Sequence, residues 1–222
     1  MRDVDRVAVE EYGLSLVQMM EHAGRGLARQ GLDLVRDDDV VVLAGGGGNG
    51  GGGLACARHL ANREIPVTVV LDRDPTSLEG VVERQYELLE RMGVTFRTDV
   101  PDVETPELVI DALVGYVLEG PLRDSTRELV QWADETATSA LSLDIPSGID
   151  ATTGDAHGDA VRPTRTFTLA LPKTGLHETT GELVLGDSSV PSGVYETLDI
   201  PYTPPFGCGF SVALEPMESP ST

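Results

Sequence analysis

The strongest constraint on the fold is a set of short, nearly continuous apolar runs. VVVLAG (40–45), PVTVVLD (66–72), ELVIDAL (107–113), ALSLDIP (140–146), TFTLAL (166–171) and ELVLGD (182–187) are each of strand length. Strands that read this way are buried on both faces. Between them lie segments with helical spacing: 54–63, 76–92 and 122–137, the last around Trp132. VTFR (94–97) adds a short strand. Strands alternating with helices predict an α/β fold, Rossmann-like and doubly wound, with a mainly parallel sheet in a three-layer α/β/α arrangement. Leu14, Leu16, Val17, Met20, Ala23, Leu27 and Leu32 extend helical spacing into an N-terminal helical arm over 4–31. Residues 1–202 read as one domain. The Pro- and Ser-rich tail, 203–222, is expected to be poorly ordered.

Open α/β sheets bind ligands beyond the carboxyl ends of their strands. Four glycine-bearing or polar loops fall there: the run Gly45–Gly53, Asp111 to Gly115 with the Gly120-Pro121 turn, Asp144 to Asp150, and Pro172 to Gly175. Eight of the nine residues from Gly45 to Gly53 are glycine, the exception being Asn49. The run satisfies G-x-G-x-x-G between a strand and a helix, and Asp72 ends the next strand where a ribose ligand would sit. Successive backbone N–H groups leading into a helix N-terminus suit a phosphate. No Lys-Ser/Thr follows, which excludes a Walker loop.

Composition removes other classes. The 222 residues carry 37 acidic and 16 basic side chains, a net charge of −21. This balance disfavours nucleic acid and anionic membranes as partners. It suits either a halophilic, high-salt cytoplasm or an ordinary acidic protein. Lys173 is the one lysine, read either as a phosphate contact or as a surface residue. Two cysteines, Cys56 and Cys208, form no CxxC pair, and His22, His59, His157 and His177 show no metal spacing. Neither a signal peptide nor a membrane-length span is visible, so a cytoplasmic location is expected.

Several segments, in order, resemble the YjeF N-terminal domain family of NAD(P)H-hydrate epimerases. They are the opening MRDVDRVAVEEYGLSLVQMMEHAGRGLA, GGGGNGGGGLACARHL, DALVGYVLEGPLR, LDIPSGIDATTG, TLALPKTGL and GELVLGDSSVPSGVYE. The resemblance covers residues 1 to about 200, and DIPSGID is its most specific part. It implies interconversion of the R and S epimers of hydrated NADH and NADPH, a cofactor-repair reaction, in a stand-alone form. A separate dehydratase would complete the repair, and a homodimer and a bound K⁺ are implied too.

By motif, the resemblance makes Asn49, Asp111 and Ser147 the cation ligands, an amide, a carboxylate and a hydroxyl that suit a hard cation. Asp144 becomes the catalytic, substrate-contacting carboxylate. The substrate loops become Gly48, Asn49, Gly50, Gly51 and Gly52, and Gly115, Tyr116, Val117, Leu118, Glu119, Gly120 and Pro121. Gly48 and Gly52 stand where the family has Asn and Asp, Tyr116 where it has Thr, Val117 where it has Gly, and His22 where it has Asn. The second reading is therefore a family member with weakened catalysis that binds nucleotides or a protein partner.

Overall fold

The apolar runs form a single sheet. The computed structural model describes residues 1–36, 39–102, 105–118, 120–178 and 181–215. Among these, the strands are β1 (Val40–Ala44), β2 (Val67–Leu71), β3 (Thr95–Arg97), β4 (Leu108–Ala112), β5 (Ser139–Leu143), β6 (Arg165–Leu169), β7 (Glu182–Gly186) and β8 (Ser211–Leu214). Their order is 3-2-1-4-5-6-7-8, parallel except for the last pair. This is a Rossmann-like α/β fold with two strands added at one edge.

Both faces of the central strands are covered, which explains the continuous apolar runs. Val40, Val42 and Ala44 pack with Leu54, Cys56 and Leu60 of helix α3 (Gly48–Ala61) and with Leu27 of α2 (Leu16–Leu34). That layer also receives Val82 and Leu89 of α4 (Gly80–Arg91). Val41 and Leu43 point the other way, onto Leu129, Val130 and Trp132 of α5 (Asp124–Thr136). A third cluster joins Val4 and Val7 of α1 (Arg2–Glu10) to Val194 and Tyr195 of α6 (Ser192–Thr197).

Two expectations, on the tail and on the glycine run, need correction, whereas the N-terminal arm is helical as expected and consists of α1 and α2. Gly13 takes φ +73 between them. Ser15 then restarts the chain with a capping box, its backbone N–H donating to Gln18 Oε1 at 2.9 Å.

The tail contributes strand β8, which pairs antiparallel with β7 from Leu183↔Leu214 to Gly186↔Ser211. The free edge of β7 offers backbone donors and acceptors, and SVAL takes them up. Residues 216–222 of the same tail lie outside the described residues.

The larger correction concerns the glycine run. Helix α3 begins at Gly48, six residues before the expected start at Leu54, so the run is mostly helix. Glycine costs about 1 kcal/mol against alanine at each helical position. Close packing supplies the compensation. A Cβ on Gly24 of α2 would lie 2.4 Å from Ala55 Cβ and 2.7 Å from the Gly52 carbonyl oxygen. One on Gly53 would lie 2.5 Å from Ala112 Cβ of β4. Only side-chain-free residues let α3 sit this close to both α2 and the sheet.

Candidate active site

β1 leads through α3 toward β2, while β4 leads through α5 toward the opposite edge. The sheet therefore has its switch point between β1 and β4, and a ligand cleft belongs at their carboxyl ends. A cavity of about 720 Å³ opens there, within the range of small-molecule sites. Its wall includes residues from α1, α2, the β1–α3 turn and the loops after β2, β4, β5 and β6.

Of the expected substrate residues, Gly48, Asn49, Gly115, Tyr116, Val117, Leu118, Pro121 and Asp144 line this cavity. Gly50, Gly51 and Gly52 face protein instead. A Cβ on each would meet, respectively, the Gly45 carbonyl oxygen at 1.7 Å, Met20 Sδ at 2.5 Å and Leu143 Cδ2 at 2.8 Å. Gly120 is not part of the wall, and Glu119 lies outside the described residues.

Asp144 follows β5 with φ +69, a conformation uncommon for a residue with a side chain. Backbone bonds hold it there, its N–H donating to the Phe167 carbonyl at 2.8 Å. Its Oδ1 accepts from the Leu169 N–H at 3.1 Å, from Thr168 Oγ1 at 3.4 Å and from the Lys173 ammonium. Oδ2 accepts no hydrogen bond among the described residues, which leaves it to the cavity. Lys173 also donates to the Leu169 carbonyl at 2.9 Å and to Thr168 Oγ1 at 3.3 Å, so all three of its protons have acceptors. Asp144 is 6% exposed and Lys173 8%. The lysine is therefore neither a surface residue nor poised for phosphate. It is the counter-ion of Asp144, and sequence reasoning missed it because only tertiary packing brings the β6–β7 loop over the end of β5.

The three expected cation ligands also converge. Asp111, on β4, is fully buried. Its Oδ2 accepts from Ser142 Oγ and the Ser147 N–H, both at 2.8 Å, and its Oδ1 from Ser147 Oγ at 2.5 Å. Burial pushes its pKa up, and these hydroxyl and amide donors partly oppose that. Ser147 Oγ in turn accepts from the Val114 N–H at 3.0 Å. Asn49, in the first turn of α3, reaches the same loop, its Oδ1 lying 3.3 Å from a Cβ placed on Gly115. Its Nδ2 is buried with no hydrogen-bond partner among the described residues. The oxygens of Asn49, Asp111 and Ser147 are of the type that suits a hard monovalent cation, whereas the orphaned Asn49 Nδ2 is a hydrogen-bond donor and calls for an acceptor instead.

Other wall residues escaped the sequence reading. Asp5 of α1 accepts a hydrogen bond from the Tyr116 hydroxyl. Burial raises the pKa of both groups. Ser188, after β7, presents a buried Oγ with no partner among the described residues. Asp72, Arg73 and Arg123 form another corner of the wall. The signal for Asp5 lay in the opening segment, but nothing local shows that α1 folds back over the carboxyl edge of the sheet.

The strand order and the position of the cleft define a Rossmann-like α/β protein that binds its ligand at the switch point. The chain belongs to the family described as YjeF-related protein N-terminus, whose profile matches residues 16–175. It is 45% identical over 226 residues to the NAD(P)H-hydrate epimerase of Dehalogenimonas lykanthroporepellens, spanning 98% of this chain and 91% of that protein. The NAD(P)H-hydrate epimerase of Truepera radiovictrix is 36% identical over 99% of this chain. The bifunctional NAD(P)H-hydrate repair enzyme of Salinibacter ruber is 36% identical over 93% of this chain, which spans 40% of that longer protein. Among solved structures, yeast ynu0 superposes with a TM-score of 0.84 at 21% identity and 96% coverage of both chains, a likeness of fold.

Proposed function

We propose that the protein is an NAD(P)H-hydrate epimerase, interconverting the R and S forms of hydrated NADH and NADPH. The observation that carries this reading is Asp144. A buried carboxylate is held on Oδ1 by Lys173, Thr168 and Leu169, with Oδ2 left to the cavity of about 720 Å³.

The hydrated ring carbon bears a hydroxyl and is bonded to the ring nitrogen. Its configuration is lost if the hydroxyl gives up its proton as the carbon–nitrogen bond opens to an aldehyde and the ring nitrogen, which keeps that bond's electron pair, takes up a proton. It is set again when the ring recloses on either face and the proton returns. Each direction needs a group within hydrogen-bond reach that accepts and then returns one proton. Asp144 Oδ2 is that group, and Lys173 is the residue that positions it. Phosphates fit at Gly47 and Gly48, where nothing lies within 4 Å of an added Cβ and the first N–H groups of α3 are free of helical partners. Asn49, Asp111 and Ser147 would hold K⁺, which would supply a counter-charge for the buried Asp111.

The same reading takes the protein as a cytoplasmic homodimer working with a separate dehydratase. Tyr12, Leu16 and Val17, exposed around the junction of α1 and α2, offer an apolar patch for self-association. The excess of acidic residues supports a high-salt setting.

The test supplies both epimers of hydrated NADH with a dehydratase specific for one. Wild-type protein should speed consumption of the other epimer well above its spontaneous interconversion. Asp144→Ala should lower that acceleration by about 10²–10⁴-fold. Consumption at the spontaneous rate by a wild-type protein that still binds nucleotide would favour the weakened, binding-only reading.

A further inference from the structure

Asp72, Arg73 and Arg123 stand apart from the reacting end of the cavity. Asp72 ends β2 and Asp144 follows β5, three strand spacings away in the sheet, or about 14 Å. In an ordinary dinucleotide fold, the acidic residue ending the second strand takes the ribose 2′-hydroxyl. Here that carboxylate is already engaged. Arg73 Nε donates to Oδ1 at 2.7 Å, Arg73 Nη2 to Oδ2 at 3.2 Å, and Thr126 Oγ1 to Oδ2 at 3.0 Å.

The consequence is that a guanidinium shares this corner of the cavity wall with a carboxylate whose two oxygens are already engaged. Arg73 lies across Gly46, where a Cβ would come within 2.4 Å of Nη1. Arg123 is brought to the same corner by α5. It is the N-cap of that helix, two residues before Ser125, whose Oγ donates to the Asp72 carbonyl at 2.9 Å. The Arg123 side chain is exposed on the cavity wall and forms no ion pair among the described residues. In a chain with 37 acidic side chains, a corner with two arginines and one already satisfied carboxylate is a local excess of positive charge.

We infer that Arg73 and Arg123 form a subsite for the 2′-phosphate of the substrate's adenosine ribose, so that hydrated NADPH is preferred over hydrated NADH. The inference rests on the proposed epimerase reading for its substrate. The geometry favours a phosphate over a bare ribose, because guanidinium groups pair with phosphate oxygens through charge-assisted hydrogen bonds.

Two measurements separate the subsite from the activity. Binding of adenosine 2′,5′-bisphosphate and of AMP, by calorimetry at fixed salt, reads the subsite without catalysis. The bisphosphate should bind about tenfold or more tightly than AMP. Arg123→Gln should remove most of that difference. Arg73→Lys should reduce it while keeping a cation beside Asp72, which guards against loss of folding from an unpaired buried carboxylate. In the epimerase assay, the ratio of kcat/KM for hydrated NADPH to that for hydrated NADH should fall by a similar factor in both variants. Equal binding of the two nucleotides, or an unchanged ratio in Arg123→Gln with epimerisation intact, overturns the subsite and leaves the epimerase reading standing. Absence of both nucleotide binding and epimerisation overturns the two together.

Discussion

The glycine run has two halves with opposite surroundings. Gly47 and Gly48 look into open space at the cavity, with nothing within 4 Å of an added Cβ. Gly50 to Gly53 are buried against backbone and side chains of β1, β4, β5 and α2, or the turn beyond β1. The first half is bare for a ligand, the second for the fold. Residues facing protein are close to the best choice for stability, whereas residues facing the cavity give some stability up. Each half can be tested by adding what it lacks.

The largest effect should come from the packed half. Gly50→Ala places a methyl 1.7 Å from the Gly45 carbonyl oxygen, and both partners are backbone. Neither can turn away as a flexible side chain would. The cost should exceed about 3 kcal/mol, or a melting temperature lowered by roughly 6–12 °C, unless soluble expression is lost altogether. A variant that melts within a degree of wild type would mean that the first turn of α3 is looser than the contact implies.

The open half should respond the other way. Gly47 is the N-cap of α3 and supplies no side-chain cap. Gly47→Asp adds an acceptor for the first free N–H groups and a negative charge at the helix N-terminus, together about 1 kcal/mol of stabilisation. The same carboxylate would occupy the place and charge of a phosphate. Thermal melts should therefore show a gain while nucleotide affinity falls by tenfold or more, as judged by calorimetry. A gain in stability with unchanged affinity would remove phosphate from this end of α3.

This division also explains how much of the molecule was legible in its sequence. The sheet was, because strands buried on both faces must be apolar throughout, and Val40 to Ala44 say so without help from their neighbours. The loops carrying Asp111 and Asp144 were, because they follow such strands. The start of α3 was not. Low helix propensity argues for a loop, and the contrary reason sits on α2, at Gly24. The role of Lys173 was hidden likewise, since its only distinguishing feature is burial against Asp144. Strand β8 was masked by its Pro- and Ser-rich surroundings, and it forms because β7 would otherwise be an open edge.

The smallest effect tests the cavity side through pH. Asp5 reaches the wall from α1, and burial raises its pKa above the usual carboxylate value, against the opposing Tyr116 hydrogen bond. The folded state therefore holds the Asp5 proton more tightly than the unfolded chain does. The stability this contributes is fully present below the unfolded pKa of about 3.9 and is lost as pH rises through the higher folded value. Asp5→Asn keeps an acceptor for Tyr116 but cannot ionise. Relative to wild type, its melting temperature should rise as pH goes from 4 toward 7 and then level off, since the wild type alone takes on the burial cost of a charge. A constant offset between the two proteins across that range would mean that Asp5 ionises as freely in the folded state as in the unfolded chain. The cavity wall would then carry no stability cost at α1, and the contrast between its two kinds of surface would rest on the glycine run alone.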